Sequence, residues 1–174
     1  NFSPDGAPAV PQTITGTALA DSLIGGFGND WIIGLGGNDT IDGQAGSDTI
    51  DGGDGNDSIY GNYGNDVLYG EGGDDVLSDD QGSNTLDGGI GNDTLTSSGG
   101  DSSLTSSQRL LGGSGYDRLT ATGNSIYLDG GDDNDYLSAQ GQGTASSATL
   151  MGGLGADLLY ALGFSIVQLT GGDG

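Results

Sequence analysis

The stretch that decides the fold is GLGGNDTID GQAGSDTID GGDGNDSIY, which runs from Gly34 to Tyr60. It consists of three units of nine residues, each with glycine in the first place, aspartate in the sixth and isoleucine in the eighth. The same frame continues in both directions without a gap, from Gly16 to Thr96, and gives nine units. Internal repeats of fixed period predict a solenoid, in which the units stack on one another and bury a common core.

Two columns of side chains run through the nine units. The sixth place is acidic except for one amide: Asp21, Asp30, Asp39, Asp48, Asp57, Asp66, Asp75, Asn84 and Asp93. The eighth place is always aliphatic: Leu23, Ile32, Ile41, Ile50, Ile59, Leu68, Leu77, Leu86 and Leu95. We therefore predict an all-β fold, in which the last three residues of each unit form a short strand with the eighth-place side chain in the core.

The first six places have the composition of a tight metal-binding turn. Glycine lets the backbone turn through positive φ angles without strain, and such a turn aims successive carbonyl oxygens inward. The aspartate then closes the turn with a carboxylate. Hard oxygen donors in a loose cage suit Ca²⁺, which takes about six to eight oxygens. Because each unit makes half a turn of the solenoid, a Ca²⁺ ion is expected between two stacked loops.

The composition excludes several classes of protein. The 174 residues include 39 glycines and 25 acidic residues against two arginines, for a net charge of −23. So negative a chain excludes nucleic acid and anionic membranes as partners, and no apolar run is long enough for a membrane span. Cysteine and histidine are absent, which excludes disulfides, zinc–thiolate sites and the usual catalytic base. The composition alone is also typical of a disordered acidic segment, and it is the period that argues against disorder.

The units match the pattern G-G-x-G-x-D-x-U-x and therefore resemble the RTX (haemolysin-type) nonapeptide repeat. The pattern covers residues 16–96 and recurs as GGSGYDRLT, GGDDNDYLS and GGLGADLLY, which begin at Gly112, Gly130 and Gly152. The resemblance implies a right-handed parallel β-roll, a β-solenoid with Ca²⁺ bound between stacked turns. It also implies a secreted bacterial protein, usually exported by a type I system.

The resemblance further implies which atoms bind the metal. Carbonyl oxygens at places two and four of one loop join those at places one and three of the next loop, and both aspartate side chains complete the site. The carboxylate ligands are then Asp21, Asp30, Asp39, Asp48, Asp57, Asp66, Asp75, Asp93, Asp117, Asp135 and Asp157. The carbonyl ligands up to residue 91 are Gly26, Gly28, Gly34, Leu35, Gly36, Gly37, Gly43, Gln44, Ala45, Gly46, Gly52, Gly53, Asp54, Gly55, Gly61, Asn62, Tyr63, Gly64, Gly70, Glu71, Gly72, Gly73, Gly88, Gly89, Ile90 and Gly91. The later carbonyl ligands are Gly112, Gly113, Ser114, Gly115, Gly130, Gly131, Asp132, Asp133, Gly152 and Leu154.

The loops alternate between two faces of the predicted roll. Face A carries the loops that begin at Gly16, Gly34, Gly52, Gly70, Gly88, Gly112, Gly130 and Gly152, and face B those that begin at Gly25, Gly43, Gly61 and Asp79. The later connectors on face B, at 97–111, 121–129, 139–151 and 161–170, have no complete calcium motif. Each still places a leucine two residues before the next glycine, at Leu110, Leu128, Leu150 and Leu169. We therefore expect face B to keep its strands and core residues while its turns become ordinary loops.

These patterns divide the chain into three regions. Residues 1–15, with three prolines, are expected to be a linker. Residues 16–96 form the tandem repeats with calcium loops on both faces. Residues 97–174 continue the roll with calcium loops on one face and end four residues into a new unit, so we expect a segment of a longer protein.

Pairing loops one turn apart predicts about ten Ca²⁺ ions. Face A gives seven pairs, from Asp21/Asp39 to Asp135/Asp157, and an eighth site depends on the carbonyls of the loop at Gly171. Face B gives Asp30/Asp48 and Asp48/Asp66. A third face B pair, Asp66/Asn84, is weaker, because an amide is a neutral ligand; this unit also begins with Asp79 instead of glycine.

The sequence predicts a module without enzymatic activity, because every repeated aspartate already has a metal-binding role. The leading prediction is a calcium-binding module that folds on Ca²⁺ outside the cell and forms a structural or adhesive part of a large secreted or surface protein, beside flanking domains of the same polypeptide. One alternative is an accessory module of a secreted protease, lipase or alginate epimerase. A less favoured alternative is a ligand- or ice-binding module, which the row Ser22, Thr40, Ser58 and Thr94 would serve.

Overall fold

The computed structural model describes residues 10–100, 106–143 and 145–173. In these three ranges the chain consists of β-strands joined by turns. No helix that could cross a membrane is found in the described part of the chain. The predicted all-β class is confirmed.

The described residues form seventeen strands. In chain order they are β1 Thr13–Thr15, β2 Ser22–Phe27, β3 Trp31–Ile33, β4 Thr40–Ala45, β5 Thr49–Asp54, β6 Ser58–Tyr60, β7 Val67–Gly72, β8 Val76–Asp79, β9 Asn84–Ile90, β10 Thr94–Ser98, β11 Ser107–Ser114, β12 Arg118–Gly123, β13 Ser125–Asp132, β14 Tyr136–Gly141, β15 Ser147–Leu154, β16 Leu158–Leu162 and β17 Ile166–Thr170. The odd-numbered strands make one nine-stranded sheet and the even-numbered strands one eight-stranded sheet, each in chain order. The chain therefore alternates between two sheets and makes about eight turns.

All neighbouring strands pair parallel, and the same place of the repeat lies opposite itself. Ile32 pairs with Ile50 in one sheet, and Leu95 pairs with Leu119 in the other. More residues separate Leu95 from Leu119 than separate Ile32 from Ile50, because the connector between β10 and β11 is longer. The register is nevertheless the same. The stacking expected from the period is thus present in both halves of the roll.

The core is the column of eighth-place side chains between the two sheets. The members from Ile32 to Leu95 are fully buried, and so are Leu110, Leu119, Leu128, Leu137 and Leu150. The register predicted for the second half is therefore confirmed for Leu110, Leu128 and Leu150. Leu169 differs, since it is 50% exposed; it lies on β17, which pairs on one edge only, with β15.

The strands are longer than the three residues predicted for each unit. Several continue into the first places of the following loop, as β4 and β5 do, because those places also form parallel pairs with the neighbouring turns. In their described residues, the connectors expected to be ordinary loops on face B are likewise largely strand. Between β12 and β13 the turn is the single residue Asn124.

The residues before the first repeat also join the roll. Thr13–Thr15 form β1 and pair with β3, and Ile14 packs against the core. The earlier part of the expected linker, residues 1–9, lies outside the described residues.

Both arginines stack on tyrosines of the next turn. The Arg109 guanidinium lies 4.4 Å from the centre of the Tyr127 ring, and that of Arg118 lies 4.5 Å from the Tyr136 ring. Each pair occupies opposite positions of adjacent strands. Such cation–π contacts contribute about 0.5–1 kcal/mol at exposed sites and tie successive turns together on the outer surface.

The core column predicts a position-dependent cost for loss of a leucine side chain. Leu119→Ala empties part of a fully buried site and should lower the free energy of unfolding by about 2–5 kcal/mol. Leu162→Ala makes the same chemical change at a side chain that is 69% exposed and should cost less than about 0.5 kcal/mol. Urea denaturation of both variants in saturating Ca²⁺ measures the difference, and equal costs would contradict the proposed core.

Candidate metal centre

The sixth-place aspartates of one face form a hydrogen-bonded ladder. The backbone N–H of Asp39 donates to Oδ1 of Asp57 at 2.7 Å, and that of Asp57 donates to Oδ1 of Asp75 at 2.7 Å. The ladder crosses the longer connector as well, since the N–H of Asp93 donates to Oδ1 of Asp117 at 2.8 Å. One oxygen of each carboxylate is thereby fixed against the preceding turn, which also sets the direction of the other oxygen.

That other oxygen, Oδ2, is buried and receives no hydrogen bond. This is the state of Oδ2 in Asp30, Asp39, Asp48, Asp57, Asp66, Asp75, Asp93, Asp117, Asp135 and Asp157. A buried charged oxygen without a donor costs several kcal/mol. A row of such atoms is stable only if a cation or a proton takes the place of the missing donors. Among the described residues no three acidic side chains cluster into one site, so any cation must draw most of its ligands from the backbone.

The backbone carbonyls of the loops supply oxygens in the right direction. The Leu35 carbonyl, at place two, accepts the N–H of Asp54 in the next loop at 3.1 Å. The Asp54 carbonyl, at place three, points back and accepts the N–H of Gly37 at 2.8 Å. Since a carbonyl oxygen has two lone pairs, one remains for a metal. Carbonyls of even places therefore face the following loop, and those of odd places face the preceding loop.

Close packing of the loops completes this arrangement. Gly55, at place four with φ 130°, lies directly against the carbonyl oxygen of Gly37 one turn earlier. A Cβ atom there would overlap that oxygen, and its φ lies in the left-handed region that favours glycine. Similarly, the space beside Gly34 is shared by the carbonyl oxygen of Gly52 and by Oδ2 of Asp39. The glycines of the repeat thus keep the space between loops free for oxygen atoms.

The space between two successive loops on one face is here called an inter-loop gap. The gap between the loops at 34–39 and 52–57 is faced by oxygens from both of them. The residues that contribute are those to which the ligand scheme of the resembled family, applied to these two loops, assigns one ion: Leu35, Gly37, Asp39, Gly52, Asp54 and Asp57. The ligand set and its occupancy by an ion stay predictions. Beyond Asp157 the carbonyls of Gly171 and Asp173 face back in the same way.

The electrostatics of the row oppose ionisation in the absence of a cation. Burial raises the pKa of Asp48 to about 7, against a lowering by its backbone hydrogen bond, and the charges of Asp66 and Asp30 add to the increase. Burial and like charges also raise the pKa of Asp57 and that of Asp75 to about 6. In the second half of the roll, burial likewise raises the pKa of Asp117 to about 7. The site therefore favours any positive species that can enter it.

The repeat and this site geometry agree with a known family. The model of the RTX calcium-binding nonapeptide repeat (4 copies) matches residues 15–50, 42–77, 69–104 and 142–163, which together are more than half of the chain. The chain belongs to the RTX repeat family. No curated protein and no solved structure matches it. RTX repeats bind Ca²⁺, and the buried aspartates described above fit the calcium-binding turns of this RTX β-roll.

Face B of the RTX roll changes its chemistry along the stack. Its sixth-place column reads Asp30, Asp48, Asp66, Asn84, Gln108, Ile126, Ala148 and Val167. Its first-place column reads Gly25, Gly43, Gly61, Asp79, Ser97, Ala121, Ala139 and Ala161. Carboxylates and glycines thus give way to hydrogen-bonding side chains and then to aliphatic ones, so the later turns of face B are filled by an apolar core.

Asp21 differs from the other aspartates of the ladder. Its Oδ2 atom accepts hydrogen bonds from the backbone N–H of Thr17 at 2.6 Å and from the Thr17 hydroxyl at 2.8 Å. Its backbone N–H still donates to Oδ1 of Asp39 at 2.8 Å. The first face A gap therefore already contains donors that compete with a cation.

Sequence reasoning missed two side chains of these gaps. Asp79 departs from the first-place glycine, and its carboxylate is buried beside that of Asp66. Gln108 was not singled out, although it is fully buried and its amide donates to the Gly82 carbonyl at 2.8 Å. Counting back two residues from Leu110, the predicted core position, would have placed Gln108 in the sixth-place column.

The raised pKa values predict that acid stabilises the metal-free roll. A carboxyl group whose pKa rises from 3.8 to about 6 or 7 on folding binds a proton more readily in the folded than in the unfolded chain. Its stabilising effect is complete below the unfolded pKa and is lost as the pH rises through the folded pKa. In EDTA, with sucrose as a stabilising osmolyte, the β-sheet circular dichroism signal should be larger near pH 5 than near pH 8.

The control for this measurement is sedimentation, because the chain has a pI of about 4.1 and must be shown to remain monomeric near pH 5. A β-sheet signal in EDTA that is equal at the two pH values, or larger near pH 8, would contradict the burial of the ladder.

The ladder also predicts unequal effects of two Asp→Ala changes. Asp57 faces one gap with Asp39 and a second gap with Asp75, whereas Asp21 faces one gap and is partly satisfied by Thr17. Because stacked units stabilise their neighbours, a defect inside the stack costs more than one near its end. The Ca²⁺ midpoint of folding should be at least about twofold higher for Asp57→Ala than for Asp21→Ala. Equal midpoints in a calcium titration would argue against shared sites.

Proposed function

We propose that this chain is a calcium-dependent structural module of a larger secreted or cell-surface protein, which folds into its RTX β-roll when it binds Ca²⁺ outside the cell. The observation that carries the proposal is the row of buried Oδ2 atoms without donors. Their positions repeat with the turns of the solenoid, so the whole fold depends on the same unsatisfied group. Carboxylate and carbonyl oxygens are the ligands that Ca²⁺ prefers.

Charge makes the metal-free fold unfavourable. Carboxylates of successive turns, about 4.8 Å apart, repel each other by about 0.9 kcal/mol per pair even at the dielectric constant of water, and the repulsion is larger where they are buried. The 39 glycines add a large loss of backbone entropy on ordering. Without a cation these costs favour the unfolded chain.

Bound calcium offsets most of this charge. Seven face A pairs, two firm face B pairs and the weaker third face B gap give about ten ions, before the conditional eighth face A site at Gly171 is counted. Ten doubly charged ions would reduce the net charge from −23 to about −3. Calcium binding and folding are then one process.

This coupling suits export. A chain that is unfolded at the low calcium level of a cytoplasm can pass through a secretion channel, and the higher calcium level outside the cell then folds it. The folded product is a rod: nine parallel strands in one sheet, at about 4.8 Å spacing, extend for about 38 Å. A rod that becomes rigid only outside the cell is suited to a structural or adhesive role.

The proposal predicts a coil-to-β transition driven by calcium. Circular dichroism should show coil in EDTA at neutral pH and a β-sheet spectrum after addition of millimolar Ca²⁺. The same concentration of Mg²⁺ should have little effect, because Mg²⁺ dehydrates reluctantly and demands strict octahedral geometry. A β-sheet spectrum that persists in EDTA at neutral pH, or an equal response to Mg²⁺, would overturn the proposal.

A further inference from the structure

The third inter-loop gap of face B lies between the loops at 61–66 and 79–84, and it departs from the repeat at two places. Asn84 stands where the other loops have the second aspartate, and Asp79 stands where they have the first glycine. Asn84 keeps part of the usual geometry, since its Oδ1 accepts the backbone N–H of Asp66 at 3.1 Å. Its Nδ2 donates to the Ser97 hydroxyl and to the Gln81 carbonyl, each at 3.4 Å.

The Asp79 side chain replaces the missing carboxylate. Asp79 is 1% exposed, and its Oδ1 accepts the backbone N–H of Gln81 at 3.2 Å. Its Oδ2 lies beside Gly61, where Oδ2 of Asp66 also lies. One acidic group is lost at Asn84 and another is gained at Asp79, so the gap keeps the two carboxylates of a regular site.

Neither inward oxygen of this gap has a donor when both groups are ionised. Oδ2 of Asp66 and Oδ2 of Asp79 are buried without hydrogen-bond partners, and both residues are 1% exposed. Each oxygen could be satisfied by the other only if one of the two groups carried a proton. The gap therefore requires a positive species between the two oxygens.

At the two ends of the face B carboxylate row, a glutamine side chain takes the place of a carboxylate. In the next gap Gln108 donates from Nε2 to the Gly82 carbonyl at 2.8 Å and accepts from the Ser97 hydroxyl at 2.6 Å. Before the first loop, Gln12 donates from Nε2 to the Gly25 carbonyl at 2.9 Å. At both ends an uncharged amide supplies donors to loop carbonyls, in the place that a cation takes inside the row.

We propose that Asp79 is a calcium ligand, and that it completes a third face B site with Asp66, Asn84 and the loop carbonyls. The face B row then holds three ions and is closed at each end by a glutamine amide. This inference rests on calcium binding by the regular repeats, and it adds a side-chain ligand from the first place of the repeat, where glycine normally supplies only a carbonyl.

The test is to count bound ions by native mass spectrometry of the whole chain in calcium. Asp79→Asn should hold one ion fewer than the unaltered chain. Asp80→Asn is the matched control, because it makes the same change of charge at the neighbouring, exposed residue, and it should keep the full number. An unchanged number of ions in Asp79→Asn would overturn the proposal and favour a proton shared between Asp66 and Asp79.

A second pair of variants tests the same site in a form closer to the regular repeat. Asp79→Gly should lose one ion, and the double variant Asp79→Gly/Asn84→Asp, which rebuilds a regular unit, should regain it. A full number of ions in Asp79→Gly alone would show that the carboxylate of Asp79 is not needed. Failure of calcium binding as such would appear in the unaltered chain, which would then hold no ions, and is thereby distinguished from failure at this gap.

Discussion

The constraint on which the roll depends is that the two oxygens of the sixth-place carboxylates after Asp21 have different partners. One oxygen accepts the N–H of the preceding turn, as Asp57 does from Asp39 at 2.7 Å, and this bond holds the turns in register. The same bond leaves the second oxygen buried without a donor. The contact that stacks the turns therefore also creates the requirement for a cation or a proton beside the second oxygen.

Face B shows three ways to fill the same space between turns. In its early turns the space is lined by carboxylates such as Asp48 and kept open by glycines such as Gly43. Around Gln108 an amide network with Ser97 replaces the charge. Later still, Ile126 and Ala139 close the space with apolar atoms. Since the strands stay in parallel register in these turns, the backbone accommodates all three kinds of filling, and the side chains decide which one a turn has.

The sequence predicted the period, the core and the register well, because the eighth-place column persists where the calcium motif does not. Leu110 and Leu150 identify the core even beside irregular connectors. The extent of the strands was not predictable in this way, since glycine-rich places read as loop although neighbouring turns pair there. Asp79 is a departure whose buried position beside Asp66 the pattern does not predict. Its side chain compensates for Asn84 only through a neighbour one turn away, a relation that a single unit does not contain.

The two halves of the roll therefore differ in how their turns are held together. An early turn has an inter-loop gap of carboxylates on each face and depends on cations at both. A late turn has such a gap on face A, at Asp117 and Asp135, while face B is packed with aliphatic side chains. Burial of one such side chain, Ile126 for example, contributes about 1.5–3 kcal/mol whether or not calcium is present. The calcium dependence proposed for the roll is therefore smaller in the late turns than in the early turns, although the late turns keep the face A row of carboxylates.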